Sequence, residues 1–180
     1  MNNESSQTSQ EEQELYRFGY KLLLLQAINI AVVIAIGLLC SCLKEMVFFL
    51  MGYIPLRSYA GGYHAGGPVR CGILSAAMEL AVAVVLRIPV PGLAAEGMLA
   101  TAVVCEVIIY VTAPVAACNK PLTDSQVLTF RRNARIILGV EAIIMIALYA
   151  FWHHRLWMTI AMGHVFVAGL LIAGKFVKSE

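Results

Sequence analysis

Met46-Val47-Phe48-Phe49-Leu50-Met51-Gly52-Tyr53-Ile54-Pro55-Leu56 is an apolar run of eleven residues that gives way at once to Arg57 and a polar, glycine-rich stretch. Whether it crosses a bilayer decides on which side everything downstream lies. Eleven helical residues rise about 16 Å, against a hydrocarbon core of about 30 Å. The run therefore either spans a locally thinned bilayer or lets the loop after it dip below the headgroups. Irregular backbone at that depth is tolerated only inside protein or beside a water-filled cavity.

The surrounding chain is apolar on the same scale. It has 180 residues, 60% of them hydrophobic and 13% charged, whereas soluble domains are about half apolar and a quarter charged. Further apolar segments fall at 22–43, 71–86, 97–115, 136–152 and 156–174. Together with 46–56 these predict an all-α, polytopic membrane bundle of six segments, one of them short or re-entrant. The organisation read from this pattern is an N-terminal interfacial segment (1–21), a membrane domain (22–174) and a short tail (175–180). Within the membrane domain lie a loop at 57–71 and a basic loop at 119–135. A net charge of +2, with basic residues scattered over several loops, argues against nucleic acid as a partner.

Residues 1–14 are polar and acidic and lack a basic leader region, so they do not read as a cleavable signal. Ser9 and Glu12 have capping-box spacing, which would start a helix there. Tyr16, Phe18 and Tyr20 with Arg17 and Lys21 suit an approach along the membrane surface. A frayed tail joined directly to the first span fits the same residues.

Lysine and arginine set the orientation. With an even number of crossings and the N-terminus inside, ten of the thirteen basic residues face the cytoplasm and only Lys44, Arg87 and Arg155 lie outside. Both termini, the 57–71 loop and the 119–135 loop then share the cytoplasmic side. This bias is the main sequence argument that 46–56 crosses.

The five cysteines, Cys40, Cys42, Cys71, Cys105 and Cys118, form neither a disulfide framework nor a paired zinc spacing. Four of them read as small space-filling hydrophobes. Cys71 is different. Gly66-Gly67-Pro68 closes the loop, and proline suits the first turn of a helix. Cys71 then sits in the first turn of the third segment, where free N–H groups and partial positive charge favour the thiolate, the reactive species. Arg70 and Arg57 add charge of the same sign. His64, seven residues earlier, is placed to take the thiol proton and later protonate a departing amine. Backbone N–H groups near Cys71 or the Arg57 guanidinium would stabilise an oxyanion. Extended, the seven residues would hold His64 and Cys71 up to about 24 Å apart, so Gly61, Gly62, Gly66 and Gly67 are needed to fold the loop back. No aspartate or asparagine in the loop orients His64.

The run Arg57-x4-Gly62-Tyr63-His64-Ala65-x5-Cys71, with Ala113-Pro114-Val115 and Asn119-Lys120-Pro121-Leu122 further on, resembles the accessory gene regulator B family. The likeness extends over essentially the whole chain in length, span pattern and motif order. It implies a cysteine endopeptidase in the plasma membrane of a Gram-positive bacterium, acting on the precursor of a cyclic quorum-sensing peptide. In that family the cysteine releases an acidic C-terminal tail and holds the remainder as a thioester, which a side chain of the precursor displaces to close a ring. The resemblance implies Cys71 as nucleophile, His64 as base, Arg57 and Gly62 as loop supports, Lys120 and Pro121 in a matching second loop, no cofactor, and a homodimer.

The other polar residues have competing readings. Glu79, Glu106 and Glu141 lie in apolar segments and are expected to face the bundle interior, since charge in lipid is costly. Structural pairing or protonation is read ahead of catalysis for all three. Glu79 lies about 12 Å along its helix from Cys71, near enough to line a substrate groove. Gln26 and Asn29 suit interhelical hydrogen bonding, with Gln26 within reach of an oxyanion if its helix packs on the loop. Lys120, Arg131, Arg132 and Arg135 fit contact with anionic lipid or attraction of an acidic peptide. His153, His154 and His164 lack a nearby ligand cluster in sequence, so no metal is expected and interfacial anchoring beside Trp152 and Trp157 is the reading. Gly163, Ala168 and Gly169 would permit close helix contacts, including those of a dimer. The competing function is a non-catalytic membrane transporter or scaffold for a peptide, in which the intramembrane glutamates carry protons or cations.

Overall fold

The computed structural model describes residues 2–63, 67–116, 122–152 and 155–178. Among them the chain forms α1 (Asn2–Leu39), α2 (Leu43–Ala60), α3 (Pro68–Arg87), α4 (Gly92–Thr112), α5 (Asp124–Trp152) and α6 (Leu156–Lys178). The protein is an all-helical polytopic bundle. Helical stretches at Val69–Arg87, Gly92–Thr112, Asp124–Phe151 and Leu156–Phe176 are long and apolar enough to cross a membrane, and Leu23–Leu39 is a shorter apolar helix.

Several boundaries differ from those expected. Helix α1 runs unbroken through Ser9 and Glu12, so these residues do not start a helix. The apolar core at 46–56 is the middle of α2, whose eighteen residues also take in Lys44, Glu45 and Arg57. At 1.5 Å per residue the helix is about 27 Å long. Pro55 lies inside it and removes one backbone donor, yet the helix continues for another turn. It stops at Gly61, whose φ of 70° leaves the helical region while its N–H still reaches Arg57 O at 3.1 Å. The basic stretch 119–135 is not all loop either: α5 begins at Asp124 and carries Arg131, Arg132 and Arg135.

Helix α6 is the hub and packs against α2, α3, α4 and α5, while α1 lies against α2 and α3. Lipid tails are as apolar as leucine, so such contacts gain mainly from close packing, and small residues at the crossings permit it. Gly163 lies against the backbone of Tyr53, and Ala168 is buried within the subunit. Neither is therefore available to a second copy, whereas Gly169 is open. The outward faces of α4 and α5 expose Val103, Val104, Val107, Ile136, Val140 and Ile143, as lipid-facing surfaces do.

The core has two apolar clusters. One gathers Cys42, Met46, Phe49, Leu86, Met145 and Trp157 near the α1–α2, α3–α4 and α5–α6 turns. There the Arg155 guanidinium donates to Leu86 O at the end of α3, a favourable place for a cation. Trp157 is buried edge-on against Tyr149, so it is a core residue and not an interfacial anchor. The other cluster holds Leu56, Ala60, Ile109, Val115, Leu138 and Leu171 at the opposite end. Since α2 starts in the first cluster and ends in the second, it traverses the bundle.

Between the clusters sits a polar layer. His164 of α6, 1% exposed, has Nε2 3.1 Å from Glu141 Oε2 and Nδ1 3.1 Å from Glu106 Oε1. The Glu141 contact is a hydrogen bond, while the Glu106 contact is close but out of line for one. The carboxylates missing from its sequence neighbourhood thus come from α4 and α5, and His164 is no surface anchor. They bracket the ring from opposite sides, and among the described residues no group of three His, Cys, Asp or Glu is arranged to hold a metal.

Candidate active site

The site begins with a backbone knot. Gly61 and Val115 form a parallel bridge: Val115 N–H donates to Ala60 O and Gly62 N–H to Val115 O, each at 2.9 Å. Tyr63 N–H then donates to Leu170 O of α6 at 2.7 Å. The connection after α2 is thereby tied both to the one after α4 and to the hub helix. Only glycine fits here. Gly61 and Gly62 have φ of 70° and 108°, and a Cβ on Gly61 would lie 2.2 Å from Val115 O. Gly174 completes the fit from α6, since a Cβ there would approach Tyr63 N to 2.7 Å.

This knot places Arg57, in the last turn of α2. One guanidinium nitrogen, Nη2, donates to Tyr63 O, while Nη1 is buried with no partner. Tyr53 lies one turn earlier on the same helix.

Helix α3 starts as expected, with Pro68 in its first turn and no side chain capping it from Gly67. Cys71 is half-buried there, and its N–H is already used by Gly67 O at 3.0 Å. The Cys71 amide is therefore not an oxyanion donor; the amides of Val69 and Arg70, which precede the first intrahelical bond, are the free ones. Arg70 is exposed and does not line the cavity described next.

A cavity of about 200 Å³ opens beside Cys71, with Arg57, Tyr63 and Tyr53 around it. Farther along α3 it is lined by Ser75 and Glu79, and from α1 by Gln26 and Asn29. Four of the expected residues, Cys71, Arg57, Gln26 and Glu79, thus share one cavity, and Gly62 lies against two of its lining residues, Arg57 and Leu170. His64, Lys120 and Pro121, like Cys118, Asn119, His153 and His154, lie outside the described residues. Tyr53, Ser75 and Leu170 went unread in the sequence. Tyr53 had a signal, four residues before Arg57 on one helix, as did Ser75, four after Cys71. Leu170 had none, because it contributes only a carbonyl.

The remaining described cysteines are Cys40, Cys42 and Cys105, all free. Burial pushes up the thiol of Cys42, in the turn before α2, and the neighbouring Cys40 and Glu45 act in the same direction. A half-buried thiol at an uncapped helix start, beside a cavity lined by an arginine with one guanidinium nitrogen still unpaired, has the parts for acyl transfer.

The family model for accessory gene regulator B matches residues 1–172, so the chain belongs to that family. It is accordingly a multi-pass membrane protein of quorum-sensing peptide processing. No curated protein and no solved structure matches the chain.

Proposed function

Because the chain is an accessory gene regulator B protein, we propose that it is a cysteine endopeptidase that cuts the C-terminal tail from a quorum-sensing pro-peptide and supports closure of the remainder into a thiolactone or lactone. The observation that carries this reading is that Cys71 and Arg57, whose Nη1 has no hydrogen-bond partner, line one cavity.

His64 takes the proton of Cys71, and the sulfur attacks the scissile carbonyl. The oxyanion is met by Arg57 Nη1 and by the unpaired amides at the start of α3. Collapse expels the amine of the tail, which receives its proton from His64, and leaves a thioester on Cys71. A thiol or hydroxyl of the precursor then attacks the thioester, closes the ring and returns the thiol. The thioester keeps acyl energy that hydrolysis would discard, so the site must favour the internal nucleophile over water. Burial of Cys71 among α1, α2 and α3 suits that need.

Lys120 and Pro121 belong to the second loop of this site, whose Val115 is bound to Gly62. Arg131 and Arg132 are exposed on the first turns of α5, where they would meet anionic lipid or an acidic tail. The excess of basic residues at this end supports a cytoplasmic location for it and for both termini, and the family resemblance implies the plasma membrane of a Gram-positive bacterium. The active form is a homodimer. The alternative of a proton-coupled carrier is weakened by the commitment of Glu106 and Glu141 to His164.

The test is processing of a precursor by Cys71→Ala and His64→Ala variants that still insert. Both should cut nothing, and mass spectrometry of wild-type protein with a precursor lacking its internal nucleophile should find the thioester on Cys71. Normal cutting by either variant would sink the proposal.

A further inference from the structure

Glu79 lies two turns beyond Cys71 on α3 and is 3% exposed. Its Oε2 is buried with no hydrogen-bond partner, although the residue lines the same cavity as Cys71. A buried acceptor left without a donor costs about 1–3 kcal/mol. Such a cost is recovered when a ligand brings the donor. Glu106 and Glu141 each lie 3.1 Å from a ring nitrogen of His164, whereas Glu79 has no such cationic or ring partner and lines the cavity. Asn29 of α1 lines the same cavity and is the polar side chain of that helix beside Glu79. Arg57 Nη1 is the matching unpartnered donor among the residues beside Cys71. One cavity thus offers a free donor close to the nucleophile and a free acceptor farther along α3.

Resting on the function proposed above, we propose that Glu79 and Asn29 form a specificity subsite for the precursor, taking a side chain that donates a hydrogen bond: a hydroxyl, thiol, amide or ammonium. Eight helical residues rise about 12 Å, and an extended peptide advances about 3.3 Å per residue. An acyl segment laid along α3 from Cys71 therefore brings its third or fourth residue before the scissile bond to Glu79. The retained acyl half is the part that occupies this subsite. A departing acidic tail would bring further acceptors there and no donor for Glu79. A volume of about 200 Å³ accommodates a side chain and its flanking backbone, not a folded domain.

The experiment is a coupling measurement in proteoliposomes. Each of the six residues before the scissile bond is changed to alanine, and cleavage is measured with wild-type, Glu79→Ala and Glu79→Gln protein. With wild type, alanine at one donor-bearing position, three or four residues before the cut, should lower kcat/KM about tenfold, chiefly through KM, as expected for loss of one hydrogen bond to a buried group. With Glu79→Ala the native precursor should lose the same factor, and the alanine precursor should lose nothing further. Glu79→Gln, which keeps an acceptor and the volume, should retain cleavage within about threefold for an uncharged donor and lose it for an ammonium. Equal losses for every precursor, additive losses at that position, or coupling only to residues after the cut would overturn the subsite. Gel filtration and the alkylation rate of Cys71 check that each variant is folded. If Cys71→Ala still cleaves, the peptidase reading fails instead, a result that this coupling measurement does not produce.

Discussion

The amide of Gly62 donates to the carbonyl of Val115 at 2.9 Å, joining two connections that lie more than fifty residues apart in the chain. The bond forms only because Gly62 holds a φ of 108° with its Cα against Leu170; a Cβ there would come 2.8 Å from Leu170 O and 2.9 Å from Leu170 C, both backbone atoms that have no room to swing aside. Gly62→Ala should therefore move the loop instead of merely crowding it. Precursor cleavage should fall at least about tenfold, in line with a backbone penalty of about 1–2 kcal/mol before any displacement is counted. Gly97→Ala, with open space around it and an ordinary helical backbone, should cleave like wild type. The check is cleavage per folded molecule in proteoliposomes.

Gly174 makes the same point from the far end of the chain. An alanine Cβ there would meet Tyr63 N at 2.7 Å and Gly62 C at 2.9 Å. Displacing Tyr63 removes the carbonyl that holds Arg57. Gly174→Ala should lose cleavage as Gly62→Ala does and expose the connection after α2 to limited proteolysis. Gly169→Ala, where nothing approaches, should do neither.

These contacts mark where sequence reading stops. Apolar runs of span length made the six-helix bundle legible, because lipid demands helical backbone and long apolar stretches. Proline and glycine spacing placed Cys71 at the start of α3 for a local reason of the same kind. The ends of α2 were misjudged because Lys44, Glu45 and Arg57 look like loop residues, yet a helix in a membrane puts its charges at its ends. The clamp on His164 was invisible because its partners are 23 and 58 residues away on other helices. Leu170 offers only a backbone carbonyl to Tyr63, a role that no side chain signals.

The His164 clamp should be needed for stability and not for chemistry. His164→Leu leaves Glu106 and Glu141 facing each other in the interior without the ring between them. Thermal unfolding in detergent should show a loss of about 1–3 kcal/mol. Adding Glu106→Gln and Glu141→Gln should restore part of it by removing the orphaned carboxyls. None of the three lines the cavity at Cys71, so cleavage per folded molecule should stay within about twofold.

The cysteines should separate cleanly by reactivity. Cys42 is buried in its turn with its thiol pushed up, so it stays protonated and slow towards alkylating reagents at neutral pH. A protein with Cys40, Cys42, Cys105 and Cys118 all changed to serine should keep its cleavage, and alkylation of the remaining Cys71 should abolish it in step with label incorporation. Activity that survives full labelling would remove Cys71 from the chemistry.

Arg57 is the most direct test of the oxyanion site. Its two terminal nitrogens have separate tasks: Nη2 holds Tyr63 O, and Nη1 is left free in the buried interior. Lysine keeps the charge but offers a single head group, so it either ties the loop or meets the oxyanion. If Arg57 only tied the loop, Arg57→Lys would be mild, because the ammonium would take Tyr63 O. With Nη1 acting on the oxyanion, Arg57→Lys should lower kcat by about 10²–10³, the usual effect of losing one such donor, and leave KM within about threefold. Single-turnover measurement of thioester formation distinguishes the two, since the loss must appear in acylation itself.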